Sequence, residues 1–204
     1  HVWFHENALK YEPALSGVRL SFALSSWGRL GESYPPALEK LKEFRDKAQE
    51  RLVPKEGVKI SFDDFMELRG INRELGDEKR TAEAFRLIDA KNPDAAQRVF
   101  RVAQPALVKA KEYELCGRYI DSEDALHEIV ENYRRMRKIE EKRVGGNRLP
   151  EFAKKNFVNA AATLVALLVV NDRRAEAETV VHEVKQEAGD AAFHAKLAAE
   201  VDKA

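Results

Sequence analysis

The sequence predicts an all-α protein assembled from antiparallel helix pairs, and three observations carry that reading. No stretch of the chain alternates polar and apolar residues at period two, so no sheet is expected. The stretch from Leu24 to Leu41, LSSWGRLGESYPPALEKL, reads as two amphipathic helices meeting at a tight turn. Pro13, Pro54 and Pro93 stand 41 and 39 residues apart, each after a helix pair, which is a repeat signal.

Each element can be justified in order. HVWFHENALKY reads as a helix with Val2, His5, Ala8 and Leu9 on one face, stopped by Pro13. No capping residue precedes Val2, so the expectation is a chain that opens mid-helix and was cut from something longer. The opening hairpin pairs a helix over about 14–30 with one over about 35–53. Leu20, Leu24, Trp27 and Leu30 stripe the first, and Gly31 and Ser33 are expected to break it. Pro35 and Pro36 open the second, since proline's fixed φ and missing N–H cost nothing in a first turn. Ala37, Leu41 and Phe44 continue the stripe, and Trp27 is expected between the helices of the first two pairs.

After Pro54 and the loop KEGVK, Ser61 is placed to cap a helix over 62–75, with Asp64 in the position of a capping-box acid. Gly76-Asp77 turns the chain into a helix over 78–90 that ends at Asn92-Pro93. A third pair follows. Val99, Phe100, Ala103 and Leu107 line its first helix, which Pro105 is expected to kink or break, and Leu115, Cys116, Tyr119 and Ile120 line its second. One long helix then runs over 121–144 to Gly145-Gly146-Asn147. The most apolar helix spans about 150–170, and helices over 174–188 and 191–203 complete a single domain of 204 residues.

Composition narrows the functional classes. Lys plus Arg (35) balance Asp plus Glu (35), which argues against a dedicated nucleic-acid binder. The longest apolar run, from Phe157 to Val170, has 14 residues, short of a bilayer span, so no membrane role is expected. The single cysteine excludes an internal disulfide framework. No signal peptide or lipidation motif is visible at His1, and the expected location is the cytoplasm.

The helix pairs resemble tetratricopeptide repeats. Leu24, Gly31, Tyr34, Ala37 and Leu41 carry the likeness in the first pair, and Leu68, Gly76, Thr81, Phe85, Ile88 and Pro93 in the second. Tyr113, Cys116 and Ile120 match the second helix of another unit, and Leu164, Ala177, Val181 and Val184 a fourth. Arg69 and Val165 stand where the family has small residues, the first pair exceeds the 34-residue period, and the 121–150 region fits no unit. The resemblance implies a right-handed α-α superhelix, with another helical-hairpin solenoid as the alternative.

No catalytic constellation emerges. A nucleophilic cysteine needs a nearby base and an electropositive setting, whereas Cys116 lies on an apolar helix face at a helix-crossing site, so it reads as a small buried residue. His1 and His5 are four apart but lack the glutamate and third ligand of a zinc helix. Arg134, Arg135, Arg137 and Lys138 are followed by Glu140 and Glu141, a pattern that laces solvated helices. No phosphate-loop, dinucleotide or nucleophile-elbow motif is present, so neither enzyme activity nor a cofactor is expected.

The resemblance also implies a concave groove lined by the first helix of each pair, where the family binds peptides. Carried over, that register picks Arg19, Phe22, Ser26 and Arg29; then Asp63, Met66, Gly70, Arg73 and Glu74; then Arg98, Arg101 and Lys109. Six cations there face two anions, which points to a protein or peptide partner of acidic character; the alternative is that these arginines only solvate helix faces. Ser26, Gly70 and Pro105 occupy the family's central asparagine site, so its carboxylate clamp is not expected. The reading is an interaction module, with self-association through the N-terminal helix expected. The alternative is an accessory domain of a larger enzyme or secreted assembly.

Overall fold

The computed structural model describes residues 1–53, 60–142 and 150–188. It is all-helical over those residues, and the chain divides into two compact units, His1–Glu112 and Tyr113–Ala204. The two helices of the expected third pair therefore belong to different units. The loop after Pro54, the Gly145-Gly146-Asn147 turn and the helix expected over 191–203 lie outside the described residues.

In the first unit, α1 (Val2–Tyr11) leads through a 3-10 turn (Pro13–Leu15) to the short α2 (Ser16–Arg19). The continuous helix expected over 14–30 is broken at Ser21, which takes non-helical angles (φ −129°, ψ −92°). Its hydroxyl donates to the Gly17 carbonyl at 2.6 Å, an alternative to helical pairing that serine readily makes. Then come α3 (Phe22–Ser33) and α4 (Pro35–Leu52), with Pro35 in the first turn of α4. Gly31 does not end α3 as expected. It sits inside the helix and is buried, because a Cβ there would lie 3.0 Å from that of Leu38. The buried stripe therefore runs through Leu24, Trp27 and Gly31, and Leu30 is turned outward.

Trp27 is 2% exposed. Its Nε1–H donates to the Ala37 carbonyl at 2.8 Å, and its ring meets Phe44 edge-on at 5.4 Å. His5 of α1 packs edge-on against both rings, at 5.8 and 5.1 Å, so α1 covers the aromatic core of the first pair.

The second pair follows the sequence closely. Ser61 caps α5 (Phe62–Glu74) by accepting from the Asp64 N–H at 3.3 Å. Gly76, at φ +68°, ends it with the Asp77 N–H returning to the Asn72 carbonyl at 2.8 Å. α6 (Glu78–Lys91) is pinned to α5 by a buried hydrogen bond from Asn72 Nδ2 to Thr81 Oγ1 at 3.0 Å. Asn92 then caps α7 (Pro93–Lys109), which runs unbroken through an exposed Pro105. Within this unit α5 packs on both α3 and α7, and α4 packs on α6.

The second unit is arranged around one helix. α10 (Pro150–Val170) packs against α8 (Tyr113–Tyr119), α9 (Ser122–Lys142) and α11 (Arg174–Ala188). Its buried residues, among them Phe157, Ala161, Leu164, Val165 and Leu168, cover a wide arc. The helix is more apolar than the 14-residue run suggests. Over Phe152–Val170 it is long and apolar enough to cross a membrane by length and composition, and 50% of that window is buried within the protein. Tyr133 stacks on Phe157 at 4.4 Å. Gly117 must be glycine for close approach, since a Cβ there would collide with the Asn171 amide, which donates to the Tyr113 carbonyl at 3.0 Å. Arg173 donates to the Ile120 carbonyl at 2.9 Å and pairs with Glu176, tying the end of α8 to the start of α11.

Candidate functional site

Among the described residues no group of His, Cys, Asp and Glu could hold a metal ion, and Cys116 is buried. The chemistry worth following is the distribution of guanidinium groups in the first unit, where at least five of the described arginines are taken up by carboxylates. Arg45 pairs with Asp46 and Asp77, Arg80 with Asp46, Arg51 with Asp64 and Glu67, and Arg86 with Glu112.

Arg19 is the fifth, and it is not the open groove cation that the sequence register expects. Its side chain is 11% exposed and sits 2.5 Å from the Glu67 carboxylate, while its Nε donates to the His5 carbonyl at 2.8 Å. Burial pushes the Glu67 carboxyl up. Hydrogen bonds from His5 and Arg19, with the Arg19 charge, outweigh burial and hold it at about 2. This cluster fastens α1 and α2 onto α5. His5 is therefore a structural partner of Glu67 and the aromatic core, not half of a metal site with His1.

The remaining expected groove residues divide. Lys109 lies 3.1 Å from the Glu78 carboxylate, and Arg101 is exposed with an interaction of its own. Phe22 is 79% exposed, Arg29, Arg73 and Arg98 are exposed, and Met66 is half-buried. On α3 the uncovered stripe is Phe22, Ser26 and Arg29; on α5 it is Phe62, Met66, Arg69 and Arg73, spaced by three or four residues as one helix face requires. The two stripes meet where Arg73 donates to the Leu20 carbonyl at 3.3 Å, two residues before Phe22. Of the two acids expected in the groove, Glu74 accepts from the Ser25 hydroxyl at 2.9 Å, and Asp63 is exposed in the first turn of α5.

Arg69 belongs to this surface although the sequence register did not select it. Its side chain is only half-buried. Burial, and then the charge of Arg73, push its guanidinium below the usual value, and it remains ionised. Among the described residues neither Arg29, Arg69, Arg73 nor Arg98 has a carboxylate partner. The signal that could have found Arg69 is its i, i+4 spacing to Arg73 and i, i+3 spacing to Met66.

No family model matches the chain, and no curated protein or solved structure matches it. The functional reading therefore rests on the geometry of this surface.

Proposed function

We propose that the first unit is a stack of helical hairpins of the tetratricopeptide kind, and that the protein is a non-catalytic interaction module taking an acidic segment of a partner protein. Two features support the architecture. α3, α5 and α7 form one row of neighbours and α4 with α6 a second, as successive first and second helices of stacked pairs would. The left-handed residues that end α5 and α7, Gly76 and Lys111, are 35 residues apart, close to one repeat.

The observation that carries the function is the contrast in charge pairing. At least five of the described arginines of this unit are neutralised internally, while Arg29 and Arg73 are left to solvent on the α3–α5 face that also exposes the ring of Phe22. A surface that keeps cations uncompensated beside an apolar shoulder suits an anionic partner with a hydrophobic anchor. The test is titration of Asp/Glu-rich peptides, each carrying one aromatic residue, against wild type and an Arg29→Glu, Arg73→Glu variant at low and high salt. Wild type binds and weakens with salt, because exposed pairs are screened over about 8 Å at physiological ionic strength. Equal binding by both proteins, or no response to salt, overturns the reading.

A further inference from the structure

Arg69 and Arg73 stand four residues apart on the uncovered face of α5, which places their side chains as neighbours about 5–6 Å apart at Cβ. Two like charges in that register oppose each other, and Arg69 meets the repulsion while half removed from water. Elsewhere in the unit such a group has a carboxylate: Arg45, mostly buried on α4, is answered by both Asp46 and Asp77. Among the described residues Arg69 has no such partner, and Arg73 donates to a backbone carbonyl and to no carboxylate, which leaves its charge uncompensated.

The chemistry of this pair distinguishes between anions. One carboxylate carries a single charge and two oxygens, enough for one guanidinium fork, and it would leave the second arginine as it is. A phosphomonoester carries −1.5 to −2 charges at neutral pH and three acceptor oxygens, so one group can bridge both forks. Guanidinium, planar and weakly hydrated, tolerates the half-buried position better than an ammonium would. The same face continues through Met66 and Phe62, giving an apolar track for the residues preceding or following the charged one.

From this geometry we infer that Arg69 and Arg73 form a phosphate-binding subsite, and that the partner segment is a phosphorylated serine or threonine peptide with a neighbouring apolar residue. This rests on the acidic-partner reading above and narrows it to one chemical class. Phosphorylation of the partner would then switch docking on, because only the dianion satisfies both arginines.

The experiment is a degenerate peptide library with a fixed central phosphoserine, compared with the same library carrying serine or glutamate there, with binding read by fluorescence anisotropy. The phosphoserine pool binds at least about tenfold more tightly than the glutamate pool, the margin expected for a second charge-assisted contact. Arg69→Gln and Arg73→Gln each remove that margin, Arg69→Lys restores only part of it, and Lys42→Gln on α4, outside the surface, leaves it intact. Circular dichroism of each variant checks that the fold is kept. Equal binding of the glutamate and phosphoserine pools overturns this inference but leaves the acidic-partner reading standing. Absence of binding by either pool overturns both. A phosphoserine preference that survives Arg69→Gln, Arg73→Gln places the subsite elsewhere and overturns the assignment. Inorganic phosphate and vesicles containing anionic lipid serve as separate arms. Competition by millimolar phosphate is expected, whereas vesicle binding without peptide binding identifies a membrane surface and refutes the proposal.

Discussion

The two units are made of similar material and handle it differently. In the second, α10 is wrapped by α8, α9 and α11, so its apolar residues are buried over a wide arc. In the first, α5 meets α3, α4, α6 and α7, yet the helices form two rows, α3–α5–α7 and α4–α6, and Phe22, Arg29, Phe62, Arg73 and Arg98 of the first row stay exposed. A bundle organised about one helix spends its surface on itself, whereas a row of pairs retains an open face. That is why the candidate site belongs to the first unit, and why its composition is informative.

The largest expected effect probes the two cores as a matched pair. Trp27→Ala removes a buried ring, its bond to the Ala37 carbonyl and its contacts with His5 and Phe44, at a cost of about 3–5 kcal/mol. Leu168→Ala empties a fully buried position in α10 for about 2–5 kcal/mol. Hydrogen exchange should show protection falling within 1–112 for the first variant and within 113–188 for the second. Loss of protection spread equally over both ranges in either variant would mean that the division into two units has no energetic counterpart.

Acid should test the latch of the first unit next. Glu67 is held at about 2, below its usual 4.5, so its contribution is present above pH 4.5 and is lost as the pH falls toward 2. With the side chain 10% exposed, the amount at stake is up to about 3 kcal/mol. Denaturant melts of wild type and Glu67→Gln should therefore differ at pH 5–7 and converge near pH 2. A gap between them that does not change with pH would remove the His5–Arg19–Glu67 cluster as the latch on α1.

The smallest effect sharpens the distinction within the first unit. Arg73→Gln removes an exposed charge that repels Arg69, and it should change stability by no more than about 0.5 kcal/mol in either direction. Arg19→Gln removes one charged partner of the buried Glu67 carboxylate, which keeps His5 and Arg51, and should cost several times more, about 1.5–3 kcal/mol. Similar melting temperatures for the two variants would erase the difference between latched and open arginines.

Much of the local structure was legible in the sequence. The Ser61 cap, the Gly76 turn, the proline start of α4 and the burial of Trp27 all follow from residue types acting within a few positions of themselves. Local rules misjudge Gly31, which admits Leu38 within the helix and does not break it, and α7 continues through Pro105 without the break that proline can impose.

Of the candidate site, the sequence supplied the open residues Phe22, Arg29 and Arg73 through a family register. It also offered Arg19, which is latched, and passed over Arg69. The helical class, the turns and the apolar stripes are therefore properties of the sequence alone, because the 3.6-residue period and capping chemistry are short-ranged. Which arginines are spent on carboxylates was decided only by tertiary structure. Arg19 and Glu67 stand 48 residues apart, and their pairing depends on how α2 and α5 are offset when they pack, a distance that periodicity does not encode.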